Sequence, residues 1–137
     1  MRHFKYILIL VLTSLGLTSC DPYGGYEYWV HNQSDSTIFV VYSLVNNDTI
    51  KYKKLISNEE FMILKFDTHN GLYDEGLSSL FAFCDSLALY SDSTKNIHVT
   101  KRTTLRENWT YEQDKTSSIM NAGHNIYRFT IRNVDLK

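Results

Sequence analysis

The chain is short of the residues that punctuate or staple a fold: one proline, two cysteines and six glycines in 137 residues. A single proline, Pro22, excludes a proline-rich linker or a polyproline ligand. Two cysteines, Cys20 and Cys84, exclude a disulfide scaffold and the paired Cys-x-x-Cys of zinc and redox motifs. No basic cluster exists beyond Lys51, Lys53 and Lys54, which on a strand read as a solvated face, so nucleic acid is not an expected partner. His31, His69, His98 and His124 are scattered, with no His-x-His and no His-Glu-x-x-His, so no metal ligand set is expected. A glycine-rich phosphate loop, a Gly-x-Ser-x-Gly elbow and a tight carboxylate pair on one strand face are missing too. The loop from Asp67 to Gly76 gathers Asp67, Asn70, Asp74 and Glu75, oxygen ligands of the kind calcium takes. Without EF-hand spacing it reads as a solvated turn. The expectation is a chain with no cofactor, no metal and no enzymatic activity.

Long apolar runs are also lacking, with one short exception at the start. Arg2 and Lys5 precede "YILILVL", Tyr6 to Leu12, and small or weakly polar residues follow up to Ser19. Even counted to Leu17 the stretch falls short of the ~18 residues that argue for a spanning helix. A basic start, a short apolar centre and a small-residue end are the physical needs of an export signal. Leu17-Thr18-Ser19-Cys20 then resembles the lipobox of bacterial lipoproteins, with Leu three positions before the cut and small residues between. That resemblance implies cleavage by a type II signal peptidase between Ser19 and Cys20. It also implies a diacylglyceryl group on the Cys20 sulfur and an acyl chain such as palmitate on the new amino terminus. Each buried CH₂ contributes ~0.8 kcal/mol and one chain holds only marginally, so two or three chains anchor stably. The expected location is lipid-anchored and exported, on the cell membrane or the outer membrane. Joined to a compact strand-rich domain, the lipobox resembles the small envelope lipoproteins of gut-type Gram-negative anaerobes.

Three segments follow from this: residues 1–19 as signal peptide, 20–25 as lipidated cysteine and short tether, and 26–137 as one domain. Arg2 and Lys5 leave with the signal and no carboxylate does, so the full chain's net charge of −1 becomes more acidic after cleavage. With Cys20 acylated, Cys84 is a lone thiol among Leu80, Phe81, Phe83 and Leu87, and reads as a small buried apolar side chain.

From Tyr26 the pattern has period two. Tyr26, Tyr28 and Val30 alternate with Glu27, Trp29 and His31, and Tyr127, Phe129 and Ile131 alternate with Arg128, Thr130 and Arg132. Thr37 to Val45 is apolar on both faces, as in a strand covered on both sides. Ile50 and Tyr52 alternate with Lys51 and Lys53, which predicts a half-exposed strand with the lysines outside. Met62, Leu64 and Phe66 share one face of the next strand. Leu80 to Tyr90 reads either as one long bent strand or as a helical turn feeding a strand. Asn96 to Lys101 and Trp109 to Glu112 read as two further strands. The predicted fold is all-β, an antiparallel immunoglobulin-like β-sandwich of about seven strands.

Aromatic residues are abundant: of ten tyrosines, seven phenylalanines and two tryptophans, only Tyr6 and Phe4 precede Cys20. Core packing accounts for most of them. Trp29, between Glu27 and His31, and Trp109, in the polar "RENWTYEQ", are the candidates to stack on a glycan or an envelope protein. The triplets Asp35-Ser36-Thr37, Asp48-Thr49-Ile50, Asp85-Ser86-Leu87 and Asp92-Ser93-Thr94 resemble an acceptor that some Gram-negative anaerobes O-glycosylate on exported proteins. Asp-Ser and Asp-Thr pairs are equally common turn formers. The functional expectation is a non-enzymatic protein-interaction module in the envelope, with a carbohydrate-binding surface lipoprotein as the alternative.

Overall fold

Alternating side chains form strands because neighbouring residues point to opposite faces, so one face can be buried while the other meets water. The computed structural model, which describes residues 23–45, 49–68, 77–91, 98–114 and 121–137, contains seven such strands and one short helix. They are β1 (Tyr23–Asn32), β2 (Ile38–Leu44), β3 (Lys51–Leu55), β4 (Glu60–Thr68), α1 (Ser78–Phe83), β5 (Cys84–Ser91), β6 (Trp109–Asp114) and β7 (Asn121–Ile131). Four strands make one sheet in the order β4-β1-β7-β6, and three make the other in the order β3-β2-β5. The signal, the lipobox, Ser19 and Cys20 lie outside the described residues, as do Asn70, Asp74 and Glu75. No helix among the described residues is long and apolar enough to cross a membrane.

The core lies between the inner faces of the two sheets. Tyr26, Tyr28 and Val30 of β1 and Tyr127, Phe129 and Ile131 of β7 meet Ile38, Val40 and Tyr42 of β2. The interior is unusually aromatic. Tyr28 and Tyr127 stack at 4.9 Å between ring centroids, Tyr26 stacks on Phe66 at 5.2 Å, and Trp109 meets Phe129 edge-on at 5.2 Å. Such contacts add about 0.5–1.5 kcal/mol each beyond the area they bury. Cys84 is fully buried with a free thiol, and burial pushes its pKa up while Sγ–H donates to the Ser86 carbonyl.

Several expectations need correction. The sandwich is not wholly antiparallel: β1 and β7, the first and last strands, pair in parallel at the centre of the four-stranded sheet. Parallel partners need a long crossover, and here the rest of the domain supplies it. β1 begins at Tyr23, so Gly24 and Gly25 are strand residues paired with Thr68 and Asp67 and do not belong to a tether. β2 is buried on one face and only half-buried on the other. Of the two readings of Leu80 to Tyr90, the helical turn feeding a strand is the one the structure takes. Of the segment 96–101, the described part forms only bridges, His98 with Tyr90 and Val99 with Leu136.

Two corrections concern which side of a strand faces in. In β4 the register with β1 slips by one residue at Ile63, between the pairs Tyr28–Leu64 and Trp29–Met62. A one-residue bulge reverses the alternation. Leu64 and Phe66 stay inside, Phe61 takes the next inward place, and Met62 turns outward beside Trp29. In β3 the expected polarity is inverted. Leu55 is buried opposite Ile38, which puts Lys53 and Lys51 on the core side and leaves Tyr52 72% exposed. The inversion is tolerated because β3 is an edge strand. The lysine stems cover aromatic rings while their ammonium groups reach water around the edge. Lys51 Nζ lies 5.9 Å from the Tyr42 ring centroid, and Lys53 Nζ lies 5.9 Å from that of Phe61 and 3.1 Å from Glu59.

Strand directions define two ends. The start of β1 meets the end of β4 and the start of β7. Phe66 touches Phe83 across the sheets at 4.8 Å, which adds α1, the end of β2 and the start of β5 to this proximal end. The distal end gathers the end of β1, the end of β3 and the start of β2. There Asn32 is fully buried and fully bonded. Its Nδ2 donates to the carbonyls of Ser36 (2.8 Å) and Leu55 (3.1 Å), and its Oδ1 accepts from the Ser34 amide (3.1 Å) and hydroxyl (2.7 Å). Its backbone binds Glu59 and Asn58, and Asn58 holds the left-handed conformation, φ 63°, that asparagine tolerates.

Candidate functional site

The two outward sheet faces differ in chemistry. On the four-stranded sheet, Glu27, Trp29 and His31 of β1 stand between Lys65, Met62 and Glu60 of β4 and Ile126, Arg128 and Thr130 of β7. Glu27 Oε1 receives Lys65 Nζ at 2.6 Å, and Oε2 accepts from Trp29 Nε1 at 3.1 Å. His124 Nδ1 lies 3.0 Å from the same Oε1, close enough to pair when protonated, though its N–H is not aligned for a hydrogen bond. The His124 ring reaches that position across Gly25, where a Cβ would sit 3.1 Å from the imidazole and from Asp67 Oδ1. Burial works against charge on Glu27, but the bonds from Lys65 and Trp29 and the charges of Lys65 and His124 outweigh it. The carboxyl is held below the usual range.

A second cluster sits beside the first. Glu60 Oε1 lies 3.2 Å from His31 Nδ1 and 3.1 Å from Arg128 Nε, and Arg128 Nη1 donates to Glu112 at 3.3 Å. Glu27, Glu60 and Glu112 each have a basic neighbour. These carboxylates are committed to holding strands together and are not poised as an acid–base pair. No group of three or more His, Cys, Asp or Glu among the described residues is placed to hold a metal.

The two tryptophans singled out by the sequence part ways. Trp109 is only 3% exposed, packed against Phe129 and Tyr28 with Nε1 donating to the Thr103 carbonyl at 2.8 Å. That removes it as a stacking surface. Its polar neighbours misled because β6 alternates, so the residues flanking Trp109 point away from it. Trp29 is half-buried and is the apolar centre of the charged face.

The three-stranded sheet presents what the sequence did not flag. Across its outer face run Tyr52, Val41 and Ala88 in one row and Lys54, Phe39 and Tyr90 in the next. Tyr52 and Tyr90 are exposed, and so are Ile50 and Ile56 at either end of β3. Ser43 and Ser86 continue the face, their hydroxyls bonded to each other at 2.8 Å. Single exposed apolar residues are ordinary, whereas a contiguous apolar patch marks an interaction surface. The signal that could have found it is the same alternation read with the opposite polarity, with Leu55 as the inward anchor.

Of the acceptor-like triplets, Ser86 and Thr49 are exposed, Ser36 is half-buried in the Asn32 network, and Asp92 to Thr94 lie outside the described residues. Asn125 is fully buried on β7, where its Oδ1 accepts from the Tyr111 hydroxyl at 2.7 Å. Its Nδ2 finds no acceptor among the described residues. Comparison with protein-family models, with curated proteins and with solved structures returned no match.

Proposed function

We propose that the protein is an exported lipoprotein, acylated at Cys20 and cleaved between Ser19 and Cys20, whose sandwich is a non-enzymatic protein-interaction module of the cell envelope. The lipobox supports the address. The outer face of the three-stranded sheet supports the role and carries the reading, because an apolar, tyrosine-bearing surface is left open there, on the opposite side of the sandwich from a face whose glutamates are paired with basic side chains. Tyrosine supplies large contact area with few rotatable bonds, which is why it anchors interfaces. The occupant we assign is a protein. Ile50, Ile56, Val41 and Phe39 suit apolar side chains, and the Ser43 and Ser86 hydroxyls are already bonded to each other. The domain is immunoglobulin-like in architecture, with seven strands in sheets of four and three. Its first and last strands are parallel.

A photo-crosslinking amino acid in place of Tyr52, expressed in the native cell, is expected to trap a discrete envelope protein. The same probe in place of Thr110 on the charged sheet is expected not to trap it. Equal trapping from both sites, or none from Tyr52, refutes the module. The alternative, a glycan-binding lipoprotein, draws support from Tyr52 and Tyr90 as exposed rings on one face. It predicts that soluble polysaccharide retards the protein in affinity electrophoresis, and that a Tyr52→Ser, Tyr90→Ser double variant runs freely.

A further inference from the structure

We propose that the proximal end of the sandwich rests in the headgroup layer of the bilayer that holds Cys20, with Phe81 and Phe83 of α1 as its contact. The proposal deepens the lipoprotein reading and rests on it. The first observation is chain length. β1 begins at Tyr23, three residues after Cys20. At ~3.3–3.6 Å per residue the link spans only about 10 Å. The start of β1 is therefore held against the surface, and whatever shares that end of the domain is held there too.

The second observation is what shares it. α1 joins the proximal end through Phe83, whose ring lies 4.8 Å from Phe66, and through the bond from the Val45 amide to the Phe83 carbonyl. Its last turn, Phe81-Ala82-Phe83, is exposed at all three positions and carries no polar side chain. Phe81 is 37% exposed and Phe83 47%, and Ile50 at the start of β3 is exposed at the same end. At the distal end Ile56 and Tyr90 border the open face of the three-stranded sheet, while Leu105 and Val134 stand between polar neighbours, Thr104 and Arg106 for the first and Asn133 and Asp135 for the second.

The third point is energetic. Two half-exposed phenylalanines would bind a membrane weakly from solution, as short apolar elements do. A domain on a three-residue leash meets the surface at an effective concentration in the millimolar range, so a weak contact is made most of the time. With this end on the bilayer, the open face of the three-stranded sheet stands roughly upright and accessible from the side, because strands run between the two ends. A bilayer contact and a protein partner are thus compatible.

The test uses the acylated full mature protein reconstituted into vesicles of phosphatidylethanolamine and phosphatidylglycerol, with and without brominated acyl chains. Two variants each add one reporter to the native Trp29 and Trp109: Phe81→Trp at the proximal end and Val134→Trp at the distal end. Bromine is expected to remove roughly half of the fluorescence added by Phe81→Trp, as for a ring at the headgroup–acyl boundary. It is expected to leave that of Val134→Trp unchanged. An unquenched Phe81→Trp, or equal quenching of both, overturns the proposal. A Phe81→Trp reporter shielded from aqueous iodide yet untouched by bromine overturns it in favour of a protein cover. Mass spectrometry of the same preparation reads Cys20 separately. An acylated chain with an unquenched reporter refutes the bilayer contact alone, whereas an unacylated chain that stays off the vesicles refutes both.

Discussion

At the distal end of the sandwich one buried amide, Asn32, makes four side-chain hydrogen bonds to three residues of two segments, whereas at the proximal end an apolar turn, Phe81-Ala82-Phe83, is exposed. Both ends face the same problem, which is how to finish two sheets without stranding backbone groups or apolar surface. The distal end solves it internally, since every hydrogen-bonding position of the Asn32 side chain is used. The proximal end carries apolar surface outward, beside the point where the chain leads back toward Cys20.

Three substitutions test that contrast, and the largest effect belongs to the distal end. Asn32→Leu keeps a similar volume but takes the Asn32 partner from the Leu55 carbonyl and the Ser34 amide and leaves the Ser36 carbonyl with the Ser34 hydroxyl alone, at about 3 kcal/mol. Urea unfolding should show the stability extrapolated to water falling by that amount, as a lower midpoint with the slope unchanged. A loss under ~1 kcal/mol would mean that the distal knot does not hold the sheets together.

At the proximal end, Phe83→Ala removes a half-exposed ring that packs on Phe66, and should cost about 1 kcal/mol. The same variant should loosen the domain from vesicles, seen as faster proteolysis of the link after Cys20. A stability loss as large as that of Asn32→Leu would erase the contrast.

The smallest effect lies on the charged face near the proximal end. The Glu27 carboxyl is depressed in the fold, so its stabilisation is present above the ordinary carboxylate pKa of ~4.3 and is lost as pH falls below it. Glu27→Gln should change stability by less than ~1 kcal/mol at pH 7. It should also flatten the acid limb of a stability–pH curve below pH ~5. An unchanged acid limb would place the depression elsewhere.

The strands were legible wherever one face of a segment is apolar and the whole face is buried. β1 and β7 obey this, and Tyr26, Tyr28, Val30, Tyr127, Phe129 and Ile131 are all inside as their spacing predicts. Legibility failed where alternation was real but its polarity was set elsewhere. In β3, Leu55 opposite Ile38 fixes the register, and the lysines become the inward residues of an edge. In β4, the slip at Ile63 exchanges Met62 for Phe61 without any local mark in "EFMILKF". The tyrosine-bearing face went unseen for the same reason, and Trp109 was misplaced because polar neighbours on an alternating strand say nothing about the residue between them.

The sequence by itself determined the strand-rich class, the inward faces of the first and last strands, and the burial of Cys84, because these depend on side-chain periodicity and size within one segment. The tertiary structure alone decided that β1 and β7 are parallel, which side of β3 and β4 is inside, and which apolar residues are left exposed. Those outcomes depend on the register between strands distant in the chain, and register is a property of the partner as much as of the segment.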